Sequence, residues 1–251
     1  MARFEGLTVI VTGATGGFGK RAAERFHDEG ANLVLSDLAA DPGDAFAALD
    51  PARHVYEGGD IAREETSARL VALAQDRFGG PDIAFNNAGI AQGFTPLPAI
   101  DSDLAQRIVD IDLMGVFYAM KHQIPAMLAR GGGSIIFTST FVGYTVGFPG
   151  MAAYAAGKAG LVGLAKVLAA EYGAEGIRVN AILPGGTDTP MGNAVANTPE
   201  VRSYVESLHA VKRIAEPEEI AASVLHLASD ASRFITGTAM LVDGGCSISR
   251  P

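Results

Sequence analysis

Apolar residues in this chain fall into short unbroken runs, separated by longer stretches with helical spacing. The first run, Leu7-Thr-Val-Ile-Val-Thr12, stops at Gly13. A run so short, β-branched and without polar alternation, suits a strand covered on both faces of a parallel sheet. Asn32–Ser36 is the next strand, and His54–Glu57, Asp82–Phe85, Ser134–Thr138, Arg178–Leu183 and Ala239–Val242 are further strand candidates. The intervening stretches predict helices at Gly17–Glu29, Glu64–Phe78, Ser102–Leu128, Ala153–Tyr172 and Pro217–Ser229. The longest carries a stripe of Leu104, Ile108, Ile111, Gly115 and Tyr118, stepping by four, three, four and three. Alternating strands and helices imply parallel β-α-β units joined by right-handed crossovers. The expected fold is α/β: a doubly wound, seven-stranded parallel sheet in a single domain spanning residues 1–251. One stretch, Thr187 to Arg213, has no strand. Its helical patch Pro199–Leu208 predicts a flap over a pocket, because long connections in compact domains are often lids.

Composition narrows the function. The 251 residues carry a net charge of −9 with 48% hydrophobic and 19% charged residues. An acidic chain argues against a nucleic-acid partner, which wants clustered Lys and Arg. The start, Met1-Ala-Arg-Phe-Glu-Gly, lacks the apolar core of a signal peptide. No apolar run approaches the roughly 18 residues of a membrane span. Cys246 is the single cysteine, which excludes an intrachain disulfide and a cysteine metal cluster, and no metal site is expected. A cytoplasmic enzyme acting on a small molecule is the resulting expectation.

The candidate chemistry sits at strand ends. Gly13-Ala-Thr-Gly-Gly-Phe-Gly19 lies between the first strand and the first helix, with Thr15, Gly16, Gly17 and Phe18 inside the turn. Such a turn lets an anionic pyrophosphate approach backbone N–H groups at a helix N-terminus. Asp37 closes the second strand, where a carboxylate accepts hydrogen bonds from adenosine ribose hydroxyls and repels a 2′-phosphate. Gly16 and Leu38 stand where an NADP enzyme would want a basic residue, so NAD is expected over NADP. Asp60-Ile61 follows the third strand and reads either as an adenine contact or as a helix cap. Asn86, Asn87, Ala88 and Gly89 end the fourth strand, where small residues let the chain pass a ribose. Tyr154 and Lys158 stand four apart in helix-favouring sequence, hence on one face. A lysine there would pull the phenol below its usual pKa of about 10.

Thr12-Gly-x-x-x-Gly-x-Gly19, Asn86-Asn-Ala-Gly89, Tyr154-x-x-x-Lys158 and Pro184-Gly185 occur in that order. In this the chain resembles the classical short-chain dehydrogenases/reductases, from Leu7 to about Gly245. The resemblance implies a Rossmann-type fold, a nicotinamide cofactor, and hydride exchange with an alcohol or carbonyl carbon. It implies Tyr154 as general acid/base and Lys158 as the residue that lowers its pKa and binds the nicotinamide ribose. Pro184, Gly185, Thr187 and Thr189 would flank the nicotinamide and pyrophosphate. Asp243-Gly-Gly245 matches the family's closing turn. Two positions depart from the pattern. The substrate-orienting serine of the family maps to Thr140, with Ser139 beside it as the alternative. The family's usual Asn is here Asp112; the expectation is that its proton relay persists and the working pH moves upward.

The leading reading is an NAD-dependent dehydrogenase or reductase acting on a secondary alcohol or ketone. The alternatives are a ketoreductase of acyl-carrier-protein-linked substrates, a non-catalytic NAD-binding protein, and an isomerase or dehydratase on the same fold. No dense basic cluster for a carrier protein stands out. Phe94, Pro96, Phe141, Tyr144, Phe148, Met151, Met191 and Tyr204 are candidates to line an apolar pocket. Small residues in the Ser102–Leu128 and Ala153–Tyr172 helices, including Gly115, Gly160 and Gly163, imply by resemblance a four-helix contact in a homodimer or homotetramer.

Overall fold

The structure is a computed structural model describing residues 2–249. Its strands are β1 (Thr8–Thr12), β2 (Asn32–Asp37), β3 (His54–Gly58), β4 (Ile83–Asn86), β5 (Gly133–Thr138), β6 (Ile177–Pro184) and β7 (Ala239–Val242). They form one parallel sheet in the order β3-β2-β1-β4-β5-β6-β7. Register is fixed by the buried pleat: Val11 lies opposite Leu35 on one side and Phe85 on the other.

Although the apolar runs are unbroken, their residues divide between two faces with a period of two. Val9, Val11, Leu33, Leu35, Phe85 and Ile182 pack with helices α1 (Gly17–Asp28) and α8 (Pro217–Ala228). Ile10 and Val34 turn the other way onto α2 (Glu64–Phe78). On that same face Ile135, Phe137, Val179 and Leu183 meet α4 (Gly115–Ala129) and α5 (Ala152–Tyr172). Each such buried side chain contributes about 1.5–3 kcal/mol. The order reverses at β1, whose neighbours β2 and β4 run out on opposite sides. In open parallel sheets a ligand crevice opens at the carboxyl ends of the strands at this switch point.

Two expectations are corrected and one, the flap helix Pro199–Leu208, is met and joined by a second helix. The single helix expected over Ser102–Leu128 is α3 (Ser102–Val109), a π-helical turn over Asp110–Met114, and α4. The wider turn adds a residue, so the inward stripe passes from Ile108 and Ile111 to Val116, Ala119 and Met120. Leu104 is left exposed at 43%. Thr187–Arg213 holds two helices, α6 (Pro190–Val195) and α7 (Pro199–Leu208). Of the glycines expected at an intersubunit face, Gly115 and Gly160 face inward. A Cβ on them would lie 2.9 Å from the Ile61 carbonyl oxygen and 2.9 Å from Leu113 Cδ1, whereas Gly163 opens outward.

The segment Ala152–Glu175 is long and apolar enough, by length and composition, to cross a membrane, with a mean hydropathy of 1.2. Alanine, leucine and valine carry this average, while glycine, lysine and tyrosine break the segment into short apolar runs. The helix instead lays Leu161, Ala165 and Leu168 on the sheet and buries Lys158 in its first half.

Candidate active site

One cleft of about 740 Å³ runs along the carboxyl ends of the strands. The residues expected in catalysis and cofactor binding line it, except Gly19, Asp112 and Asn86, the last of which is buried against Gln123.

The glycine turn has a steric basis. Gly13 adopts φ +64, and a Cβ there would sit 2.9 Å from Ala88 Cα. A Cβ on Gly19 would lie 2.0 Å from the Gly13 carbonyl oxygen, so only glycine lets α1 leave β1 this tightly. At Gly16 the space is open, and α1 has no side-chain cap. Its first N–H groups, orphaned as in any helix, are thus left for a ligand. The root of the flap closes on the same turn: a Cβ on Gly17 would be 3.3 Å from Thr189 Cγ2.

Neighbouring polar groups brace the turn. Asp37 Oδ2 accepts from the Thr15 N–H at 3.0 Å and hydroxyl at 2.6 Å, and Oδ1 accepts from Leu38 N–H at 2.8 Å. Asn87 donates to the Thr12 and Gly13 carbonyls at 3.1 and 3.2 Å and accepts from the Thr138 hydroxyl at 3.0 Å. It ties the exits of β1, β4 and β5 together. Asp60 does not cap α2, whose N-cap is Arg63. Its carboxylate accepts from the Ala62 N–H at 3.0 Å and pairs with Arg107 at 2.7 Å, which the sequence reading did not single out.

At the other end, α5 presents Tyr154 and Lys158. The buried Lys158 ammonium donates to the Thr138 carbonyl at 3.0 Å and lies 3.8 Å from Asp112 Oδ1. Asp112, wholly buried in the π-helical turn, also accepts from the Ile90 N–H at 2.9 Å. Its Oδ2 has no partner among the described residues. Burial raises the Asp112 pKa, while Lys158 and the Ile90 N–H act in the opposite direction. A Cβ on Gly89 would lie 2.7 Å from Lys158 Nζ and 2.8 Å from Asp112 Oδ1, so this close packing needs a glycine.

The expected lowering of the phenol is not what the structure gives. Tyr154 is pushed up to about 12, first by burial and then by the Asp112 charge, with the Thr140 hydroxyl pulling the other way. Lys158 spends its ammonium on Thr138 and Asp112. The two hydroxyls of the sequence reading also part company. Ser139 Oγ donates to the Lys158 carbonyl at 2.7 Å and is held against the helix backbone. Thr140 Oγ1 accepts from the Val142 N–H at 3.2 Å and stands beside the phenol.

Beyond the phenol the cleft is apolar. Phe94, Phe141, Phe148, Met151, Met191 and Tyr204 line it; Pro96 and Tyr144 do not. Phe141 and Phe148 meet edge to face with ring centroids 5.7 Å apart. Cys246 joins this wall, its thiol pKa raised by burial. From the flap side comes His209, a position no sequence pattern pointed to. Its Nε2 accepts from the Gly186 N–H at 3.0 Å and its Nδ1 lies 2.8 Å from the Val205 carbonyl. Thr187 bonds the Gly185 carbonyl at 3.1 Å, and the Thr189 hydroxyl caps α6 through the Gly192 N–H at 3.0 Å. No group of three or more His, Cys, Asp or Glu is placed to hold a metal ion among the described residues.

Known proteins share this fold over nearly the whole chain. Residues 13–247 match a family model described as enoyl-(acyl carrier protein) reductase. A crystal structure described as a short-chain dehydrogenase/reductase, glucose/ribitol dehydrogenase, from Brucella melitensis superposes with a TM-score of 0.91 at 34% identity. The superposition covers 98% of this chain and 99% of that one. This chain belongs to the short-chain dehydrogenase/reductase family. Similar members of the family include the 2,5-dichloro-2,5-cyclohexadiene-1,4-diol dehydrogenase of Sphingobium indicum, 40% identical over 98% of each chain. The cis-4-hydroxycyclohexanecarboxylate dehydrogenase of Sinomonas cyclohexanicum is 38% identical, covering 96% of this chain and 97% of its own. As a short-chain dehydrogenase/reductase the protein is an oxidoreductase acting on CH–OH donors.

Proposed function

We propose that this enzyme interconverts an uncharged cyclic secondary alcohol and its ketone with NAD rather than NADP, with Tyr154 as general acid/base. The observation that carries the reading is one cleft with the Tyr154 phenol and Thr140 hydroxyl at the border of its two halves. One half is the uncapped glycine turn and the other is an apolar wall. The cyclic substrate is suggested by the relatives, and its lack of charge by the wall.

A nicotinamide dinucleotide fits the residues present, since the open space at Gly16 and the uncapped start of α1 suit a pyrophosphate. Gly13, Thr15, Gly16, Gly17 and Phe18 would hold that group, with Gly19 allowing the turn. Asp37, with acceptor capacity left beside Thr15, would take the adenosine ribose hydroxyls and repel a 2′-phosphate, while Leu38 offers no cation. Asp60 and Ile61 would meet the adenine. Asn87, Ala88, Gly89 and Lys158 would border the nicotinamide ribose, and Pro184, Gly185, Thr187 and Thr189 the nicotinamide and pyrophosphate. When bound, the cofactor supplies the hydride acceptor or donor.

The remaining work falls to side chains. Thr140 holds the substrate oxygen through its hydroxyl, and Tyr154 takes the alcohol proton in oxidation and returns it in reduction. With its pKa raised, the phenol is protonated at neutral pH, the form that ketone reduction needs, though a weaker acid than free tyrosine. Oxidation needs the phenolate and gains as pH rises. Lys158 is anchored on Thr138 and Asp112 beside the site.

Absorbance of NADH during incubation with cyclohexanol or cyclohexanone tests the reading. Turnover is expected with NAD in preference to NADP, and a preference for NADP would sink the role given to Asp37. Tyr154→Phe should abolish turnover, and Thr140→Ala should lower kcat on the order of 10²-fold. If Ser139→Ala alone abolishes it, the hydroxyl assignment is wrong. The matched family model is described as an enoyl-(acyl carrier protein) reductase, so an acyl-carrier-protein thioester, offered in its enoyl and its ketoacyl form, is the second substrate. Turnover of that thioester and not of cyclohexanone would replace the first reading. The enzyme is further proposed to act in the cytoplasm as a homodimer or homotetramer. The outer faces of α4 and α5 leave Phe117 and Val167 exposed at 46% and 61%. A light-scattering mass of 25.9 kDa, the single chain, would end that part.

A further inference from the structure

Helix α5 begins without a cap of its own. Its N-cap residue is Met151, which makes no side-chain cap bond, and the preceding Pro149-Gly150 offers no side-chain acceptor. The first N–H groups of a helix need partners from elsewhere. Here they come from Gln92, 62 residues before Tyr154 in the chain and only 2% exposed. Its Oε1 accepts from the Ala153 N–H at 3.0 Å and from the Tyr154 N–H at 3.2 Å. Its Nε2 donates to the Gly150 carbonyl at 2.8 Å. The Thr95 N–H donates to that same carbonyl at 3.1 Å, closing the loop around the amide. Gly150, with φ +84, can approach this loop only as glycine, since a Cβ would stand 2.8 Å from the Phe94 carbonyl carbon.

The segment carrying Gln92 is itself tied to the site. Two residues earlier, the Ile90 N–H holds the Asp112 carboxylate that faces Lys158. One short stretch, Gly89 to Gln92, therefore fixes both the partner of Lys158 and the backbone of Tyr154. We propose that Gln92 is a positioning residue, whose amide caps the helix bearing Tyr154 and fastens the substrate loop at Gly150, so that phenol and loop are set together. The inference rests on Tyr154 being the general acid/base.

The amide's two ends have separable duties. The carbonyl oxygen sets the helix tip, which governs proton transfer. The NH₂ sets the Gly150 loop, which borders the alcohol. Gln92→Met keeps the length and bulk of the side chain and removes every bond. Gln92→Glu keeps an acceptor at a helix N-terminus, where the dipole favours a carboxylate, but removes the donor to Gly150.

The test is steady-state kinetics of both variants per active site, with sites counted by NADH binding. Gln92→Met is expected to lose kcat on the order of 10²-fold, as for a misplaced catalytic group, with KM for NAD unchanged. Gln92→Glu is expected to recover kcat to within about threefold while KM for the alcohol rises. Wild-type kcat in Gln92→Met, or equal losses in the two variants, would overturn the proposal. If Gln92→Met does not fold, Gln92→Glu carries the test: retained kcat with raised alcohol KM supports it, and lowered kcat overturns it. Tyr154→Phe, measured in parallel, separates the two readings. Turnover surviving in Tyr154→Phe refutes the phenol's role, whereas a dead Tyr154→Phe beside a fully active Gln92→Met refutes only the role of Gln92.

Discussion

Asp112 concentrates the electrostatics of the site in one residue. A fully buried carboxylate, one of its oxygens without a partner among the described residues, is costly to charge, and burial raises its pKa. While it is charged, it holds Lys158 and pushes the Tyr154 phenol upward. The sign of the consequence follows. Replacing Asp112 by Asn removes a negative charge near the phenol, so the phenolate forms at lower pH. The acid limb of kcat/KM for alcohol oxidation should move to lower pH in Asp112→Asn, read from a full pH–rate profile. An unchanged profile would count against any part for Asp112 in tuning Tyr154.

At the scale of elements, the flap is latched by polar contacts. Arg202 of α7 pairs with Asp188 at 3.0 Å and bonds Asn193 of α6 at 3.4 Å, while Asn193 donates to Asp188 at 2.8 Å. These groups are partly exposed, so the latch is worth about 0.2–1 kcal/mol. Arg202→Ala should therefore raise KM for the alcohol by about two- to fivefold through a less populated closed flap. An unaltered KM would show that the two helices stay together without it. The same elements show how much the sequence disclosed. All seven strands were legible: β1, β2, β4, β5 and β6 are buried and leave short apolar runs, while the partly buried edge strands β3 and β7 show only as short segments between helical stretches. The π-helical turn was not, since a stripe stepping by three and four residues passes through an extra residue without a visible break. Within the site, Tyr154, Lys158 and the glycine turn were legible as spaced motifs. Gln92, Arg107 and His209 were not, because each acts on a partner remote in sequence. The raised phenol was missed for a related reason: spacing places Lys158 near Tyr154 but says nothing of Thr138 and Asp112, which engage its ammonium.

The molecule as a whole has an acid-sensitive joint far from the cleft. His27, on α1, is nearly buried; its Nε2 accepts from the Asp50 N–H at 2.9 Å and lies 3.0 Å from Arg53. Burial and the Arg53 charge lower its pKa, so the folded protein keeps the imidazole neutral where the unfolded chain, with a pKa near 6.5, takes up a proton. The stabilisation is complete above the unfolded value and is lost as the pH falls below it, with a slope of at most about 1.4 kcal/mol per pH unit. His27→Gln, which keeps an acceptor for Asp50 and cannot titrate, should flatten the fall of Tm between about pH 6.5 and 5. Parallel falls in variant and wild type would place the acid sensitivity elsewhere.

The buried carboxylate in the π-helical turn also has a genetic aspect. Aspartate and asparagine codons differ by one transition at the first base, so the charge that sets this phenol apart can appear or vanish in a single mutational step. The side chain keeps its shape through that step, and Gly89 and Lys158 need not repack. The alkalinity at which the enzyme oxidises alcohols is therefore a trait that selection can adjust without touching the fold or the substrate pocket.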